Sequence, residues 1–133
     1  MTEQEFTESR VKAMHPLALA YLGDVVYELR VREYLLAQGL TKVDDLHKAA
    51  VKLVNAERQS ALYAQMEEIL SPEELTVLRH GRNAKSGHQP PHISVGSYRR
   101  ATGVEALIGW LYLLGRFDRL DEIFTLLFGS LEA

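Results

Sequence analysis

Apolar residues recur every three or four positions along most of this chain, separated by short polar breaks, which is the signature of amphipathic helices. No stretch shows the period-2 alternation of a half-buried strand. A short first helix is predicted over residues 3–13, ending before Pro16. Pro16 suits the first turn of a second helix that runs to about Gln38, with Gly39 as its stop. Thr41 is the expected cap of a third helical region, with Asp44 and Asp45 in its first turn, reaching to about Leu70 and breaking near Asn55. Ser71-Pro72-Glu73-Glu74 combines a cap, a proline at the first helical position and a capping-box glutamate, the clearest helix start in the chain. That helix fades near Lys85. Residues 86–96 (SGHQPPHISVG), with two glycines and two adjacent prolines, read as an irregular loop. Helix returns over residues 97–114, stops at Gly115 and covers 118–127 once more. The expectation is a single all-α domain over residues 1–133, with six or seven helices and no internal repeat.

Two segments are apolar on every face, so each must cross the core. Each carries one charge. Asp24 is alone in residues 17–27 (LALAYLGDVVY), and Glu105 is alone in residues 101–114 (ATGVEALIGWLYLL). A buried, unpaired carboxylate is destabilising unless something pairs or binds it. Two apolar helices of this kind commonly pack side by side, which would let the acids converge on one hard divalent cation. Magnesium fits best, with manganese as a substitute, because it accepts a few carboxylates and fills its remaining positions with water and phosphate oxygens. Such an ion polarises a phosphoryl oxygen and generates a hydroxide nucleophile. Gly23, unfavourable in mid-helix, points to close approach of another backbone, either a second helix or a symmetry mate. Small residues flank Glu105 one turn away, Thr102 and Gly109, leaving room beside its carboxylate. Structural roles are the competing readings: Asp24 capping a helix that restarts after Gly23, and Glu105 pairing with Arg99, Arg100 or a distant arginine.

Composition places the chain among ordinary globular proteins, 47% hydrophobic and 25% charged. It has no cysteine, which excludes disulfides and thiolate metal sites and makes a reducing cytoplasm the default compartment. The polar N-terminus is unlike a signal peptide, and the longest uncharged apolar run, residues 106–115, is too short to span a bilayer, so no membrane role is expected. Net charge is −3, yet five of the 15 basic residues and none of the 18 acidic ones fall between Arg79 and Arg100. That segment is +5 and the remainder −8. A basic segment on an acidic body steers a polyanion to one face, although a solvated loop gives the same count. Arg79, Arg82, Lys85, Arg99 and Arg100 are the candidate phosphate contacts, with Arg82 and Lys85 expected on one side of a fading helix end. His80, His88 and His92 lie in the same segment. The two prolines between His88 and His92 keep that pair off one helix face, and no third ligand has a recognisable spacing for zinc. Trp110, Tyr112, Leu113, Leu114 and Phe117 read as core or dimer packing.

Three ordered blocks carry a family resemblance. Tyr21-Leu22-Gly23-Asp24-Val25-Val26 resembles the signature helix of the ribonuclease III catalytic domain. Residues 102–109 (TGVEALIG) are similar to that family's second acidic helix. Residues 79–86 (RHGRNAKS) and 98–103 (YRRATG) look like its short branch, the Mini-ribonuclease III enzymes. The resemblance implies an all-α, homodimeric, magnesium-dependent endoribonuclease. Such an enzyme cuts double-stranded RNA to leave 5′-phosphate and 3′-hydroxyl ends, with Asp24 and Glu105 binding metal in catalysis. For the short branch it further implies maturation of the ends of large-subunit (23S) ribosomal RNA precursor, with a ribosomal-protein helper possible. Longer family members carry carboxylates where this chain has Ala20 and Thr102, so it holds half the usual acids and is expected to bind metal more weakly. Glu28 reads either as an outer contributor to the site or as a surface partner of Arg32. No double-stranded-RNA-binding domain is expected, which leaves RNA affinity to the basic segment. The alternatives are a non-catalytic RNA-binding or ribosome-assembly module on the same fold and, ranked lower, a helical nucleotide pyrophosphohydrolase. The latter usually needs clustered glutamates, and Glu67-Glu68 and Glu73-Glu74 lie outside the apolar runs.

Overall fold

The computed structural model describes residues 6–85 and 91–132, and within them every regular element is a helix. These are α1 (Glu8–Lys12), α2 (Pro16–Ala37), α3 (Val43–Leu53), α4 (Ala56–Glu67), α5 (Pro72–Asn83), α6 (Val95–Leu113) and α7 (Phe117–Glu132). The all-α expectation holds. None of the described helices is long and apolar enough to cross a membrane.

Local chemistry set most of the helix ends. Ser71 and Glu74 form the reciprocal capping box, with Ser71 Oγ accepting from the Glu74 N–H at 3.2 Å and Glu74 Oε1 accepting from the Ser71 N–H at 2.9 Å. The break near Asn55 is built by one side chain. Asn55 Oδ1 accepts from the Arg58 N–H to start α4, and its Nδ2 donates to the Val51 and Lys52 carbonyls that end α3. Gly39 and Gly115 end α2 and α6 with φ of +94° and +73°, the left-handed region that favours glycine. Several boundaries differ from expectation, among them the end of α7, which runs to Glu132 rather than to Leu127. The described part of the first helix begins at Glu8, capped by Thr7, while residues 3–5 of the expected helix lie outside the described residues. Lys42 rather than Thr41 occupies the cap position of α3, and it makes no side-chain cap bond. Finally, α6 starts at Val95 because Ser94 Oγ accepts from the Ser97 N–H, so the helix includes Val95 and Gly96 from the expected loop. Most of the rest of that loop, residues 86–90, lies outside the described residues.

Helix α6 is the axis of the fold. Its residues from Ala101 to Leu111 are buried apart from Glu105, and α2, α4 and α5 pack around it. Two glycine pairs let neighbouring backbones touch. A Cβ on Gly23 would overlap the Glu105 carbonyl oxygen, and a Cβ on Gly109 would overlap the Leu19 carbonyl oxygen. On another face, a Cβ on Gly81 would sit 2.9 Å from the Gly103 Cα, and one on Gly103 would sit 2.6 Å from the Leu78 carbonyl oxygen. Backbone approach this close is available only where both partners lack a side chain. Gly23 therefore meets a second helix of its own chain. Helix α7 closes the far side, with Phe124 packing on Tyr27 at 5.7 Å and Phe128 stacking on Tyr34 at 4.1 Å between ring centres. Trp110 is buried, and Phe117 stays half exposed at the start of α7 with its ring edge-on to Tyr112.

One ion pair ties α5 to α7. Arg119 donates from Nε and Nη2 to the two oxygens of buried Glu74, each at 2.9 Å, and Nη2 also donates to the Ile69 carbonyl. Burial alone would raise the Glu74 carboxyl, but the Arg119 and Ser71 hydrogen bonds outweigh it and hold the group below the usual range. A lowered folded-state value means the pair stabilises above the unfolded carboxyl's range, and that stability is lost as pH falls through the lowered value. Glu74→Gln is expected to cost about 2 kcal/mol at pH 7, because it takes a charged hydrogen-bond partner from Arg119, which keeps Glu122 and the Ile69 carbonyl. Urea unfolding at pH 7 and pH 3 checks this: the deficit should shrink at the lower pH.

Candidate active site

Because α2 and α6 cross with Gly23 against the Glu105 carbonyl, Asp24 and Glu105 are neighbours by construction. Their carboxyl groups are within hydrogen-bonding reach of each other, and Gln59 on α4 donates from Nε2 to Glu105 Oε2 at 3.4 Å. Burial, then the adjacent Asp24 carboxylate, pushes the Glu105 carboxyl up to about 8, while the Gln59 amide opposes the rise. Among the described residues no lysine or arginine forms an ion pair with Glu105, so the structural pairing with Arg99, Arg100 or a distant arginine does not occur. Nor does Asp24 cap a restarted helix, since α2 runs unbroken through it.

The expected burial of both acids is half right. Glu105 is partly buried, but Asp24 is exposed in the isolated chain. The reason is the outer face of α2, where Tyr21, Val25 and Leu29 are 83%, 61% and 53% exposed although the helix is apolar all round. Tyr21, Ala20, Tyr98 and Thr102 line, together with the two acids, an open cleft of about 270 Å³. The two positions at which the chain lacks an acid thus face the same cleft as the two acids it has. Thr102 donates its hydroxyl to the Tyr98 carbonyl at 3.0 Å. Glu28 pairs with Arg32 at 2.7 Å, the surface role.

Two adjacent carboxylates with no counter-charge are a donor set suited to a divalent cation, which relieves their repulsion and leaves its other positions to water or phosphate. Among the described residues no group of three His, Asp or Glu converges on one point, so the chain would offer such an ion these two acids and little else. His80 on α5 borders a separate apolar cavity with Trp110 and Glu73, and His92 is exposed. His88 lies outside the described residues.

The basic segment divides. Lys85 and Arg99 are exposed. Arg79 is half exposed, 4.0 Å from Glu67. Arg82 and Arg100 are tied to α4: Arg82 donates to the Tyr63 hydroxyl at 2.9 Å with its guanidinium over that ring, and Arg100 donates to Ser60 Oγ at 2.7 Å. Arg82 and Lys85 therefore do not share a helix face. Helix α5 ends at Asn83, leaving Lys85 beyond it, and Tyr63 takes the Arg82 head group.

The profile of the ribonuclease III domain matches residues 17–116, spanning both acids and the basic segment between them. The chain belongs to the ribonuclease III family. It is 42% identical to the Mini-ribonuclease 3 of Clostridium tetani over 97% of this chain and 86% of that protein. It is also 42% identical to the Mini-ribonuclease 3 of Brevibacillus brevis, over 99% and 98% of the two chains. A crystal structure of a Fusobacterium nucleatum protein superposes with a TM-score of 0.81 at 31% identity, covering 90% of this chain and 96% of that one. As a ribonuclease III family member, the chain is an endoribonuclease on the family's all-helical fold. Gln59 is the site residue that sequence reasoning missed. A glutamine in an amphipathic helix carries no spacing signal, and only the packing of α4 on α6 brings it to Glu105.

Proposed function

We propose that this ribonuclease III family member hydrolyses phosphodiester bonds of double-stranded RNA at the cleft holding Asp24 and Glu105. The observation that carries the reading is the pairing of two acids along an open cleft, with no lysine or arginine ion-paired to either among the described residues. Magnesium, or manganese in its place, would be held by these two side chains. Bound there, it supplies Lewis acidity toward a phosphoryl oxygen and lowers the pKa of water. Asp24 and Glu105 orient the reacting phosphate through that charge. Thr102 and Tyr98 shape the wall against which the strand lies. Lys85 and Arg99, exposed along the approach from the ends of α5 and α6, take neighbouring phosphates. Arg79 is a further contact, and Arg82 and Arg100 add positive charge to this face while still held by Tyr63 and Ser60. A-form RNA is met this way, through shape, phosphates and 2′-hydroxyls.

The exposed Tyr21, Val25 and Leu29 face supports a homodimer in which a second copy covers α2. That places two clefts on one assembly. Tyr21→Glu is expected to convert the sedimenting species to a 15.0 kDa monomer. The substrate we assign is the precursor of large-subunit (23S) ribosomal RNA in the cytoplasm, trimmed at its ends and in some settings presented by a ribosomal protein. This rests on the likeness to Mini-ribonuclease 3 enzymes.

The test is digestion of an end-labelled duplex with magnesium or with a chelator. Cleavage to 5′-phosphate ends only with the ion supports the reading. Binding without cleavage under both conditions makes the chain a non-catalytic RNA-binding or assembly module instead. Lys85→Ala with Arg99→Ala is expected to weaken duplex binding and to reduce the slope of log K against log salt by about 1–2. Arg82→Ala should act on stability as well, through the lost contact with Tyr63.

A further inference from the structure

We propose that Gln59 is a positioning residue for the nuclease site, holding the Glu105 carboxylate in the rotamer that faces Asp24. The inference rests on the metal-site reading above and adds a residue to it.

Gln59 is 4% exposed on the buried side of α4, which it shares with Ser60, Leu62, Tyr63 and Met66. A leucine would fill that space without burying an amide, and a buried amide is destabilising unless it is hydrogen-bonded. Its Nε2 donates to Glu105 Oε2 at 3.4 Å, across 46 residues of sequence. Among the described residues Asp24 and Gln59 are the side chains that hydrogen-bond the Glu105 carboxyl, and only the Gln59 bond survives when both acids are ionised, as a cation requires. Without that amide, the ionised Glu105 turns away from Asp24, and the two acids would no longer converge. The neutrality of the anchor matters as much as its hydrogen bond. A lysine or arginine at 59 would neutralise the charge that attracts a cation. An amide fixes one oxygen and leaves the net charge of the pair intact.

The platform under Gln59 is rigid. Asn55 caps α4 one turn earlier, Ser60 accepts from Arg100 at 2.7 Å, and Tyr63 accepts from Arg82 at 2.9 Å. Helix α4 is thus fastened to α6 and to α5 within about a turn of the amide, which gives the anchor a fixed base.

The experiment compares wild type, Gln59→Leu and Glu105→Gln in two measurements. One is Mn²⁺ binding to the RNA-free protein, followed by electron paramagnetic resonance. The other is single-turnover duplex cleavage across a magnesium series. Gln59→Leu should keep its melting temperature, bind Mn²⁺ about 10-fold more weakly, and need about 10-fold more magnesium for half its maximal rate, with excess magnesium restoring part of the loss. Wild-type Mn²⁺ affinity and magnesium dependence in Gln59→Leu would overturn the inference, as would a lower melting temperature with both unchanged. Should the leucine variant not fold, Gln59→Met keeps the unbranched chain without the donor and is read the same way. A wild type that binds Mn²⁺ no better than Glu105→Gln would overturn the metal-site reading itself. That result is distinct from a wild type that binds well beside an unaffected Gln59→Leu.

Discussion

Gly23→Ala is expected to lose the native fold or to melt at least about 10 °C below wild type. The added methyl would occupy the position of the Glu105 carbonyl oxygen and come within 2.6 Å of its carbon. Overpacking against side chains typically costs about 1–3 kcal/mol, because rotamers can yield. Here the obstacle is helix backbone, which cannot rotate away, and the matching contact of Gly109 with the Leu19 carbonyl holds the crossing one turn further along. Helix α2 would have to lift off α6 over several residues, opening the core between Val26, Tyr27, Ile108 and Trp110. Losing about 3 kcal/mol or more removes a large part of the ~5–15 kcal/mol that holds a domain together. Gly129→Ala supplies the control. That glycine lies in α7 with nothing within 4 Å of the methyl group an alanine would add, so the replacement should be neutral or stabilise by up to about 1 kcal/mol. Circular-dichroism melts of both variants separate a general intolerance of glycine replacement from a crossing that needs bare backbone. A Gly23→Ala protein melting with the wild type would mean that α2 and α6 do not touch as described.

This crossing also shows what could be read in advance. Helix starts written in adjacent residues were legible: Pro16, the Ser71–Glu74 box and the Asn55 break each act within four positions, so sequence contains the whole interaction. The two apolar helices were legible as core elements, and the lone acids within them as a pair. What Gly23 touches was not. A missing side chain announces room but not direction, and the Glu105 backbone was as compatible with the sequence as a symmetry mate. Asp24 illustrates the same limit. Its helix is apolar on every face, which implies burial, yet the isolated chain covers only one side and leaves Tyr21 and Val25 in solvent. The basic segment was legible as charge and not as geometry. Arg82 and Arg100 find Tyr63 and Ser60 across 19 and 40 residues of sequence, and nothing near either arginine encodes that partner.

Glu105→Gln should move activity and stability in opposite directions. The substitution keeps the side chain's size and its place beside Gln59 while removing one of the two charges available to a cation. An ion in such a site stabilises developing charge by several kcal/mol, and about 4 kcal/mol corresponds to roughly 10³-fold in rate. Duplex cleavage is therefore expected to fall by about 10³-fold or more, and Asp24→Asn should fall as far, because one carboxylate cannot hold the ion alone. Stability should not follow. In the absence of a divalent ion, burial and the Asp24 carboxylate hold the Glu105 carboxyl up to about 8, so folding at neutral pH must take up a proton there, a cost that a neutral amide does not carry. The ion-free variant is expected to be more stable than wild type, by on the order of 1–3 kcal/mol. Added magnesium or manganese should raise the wild-type melting temperature and leave that of Glu105→Gln nearly unchanged, since only a protein that binds the ion gains by mass action. Melting curves with and without the ion, run beside the cleavage assay, check each part. A variant that is inactive and also less stable would mark Glu105 as a structural residue. One that is more stable, blind to the ion and inactive would mean that the strain between Asp24 and Glu105 is retained for the cation it attracts.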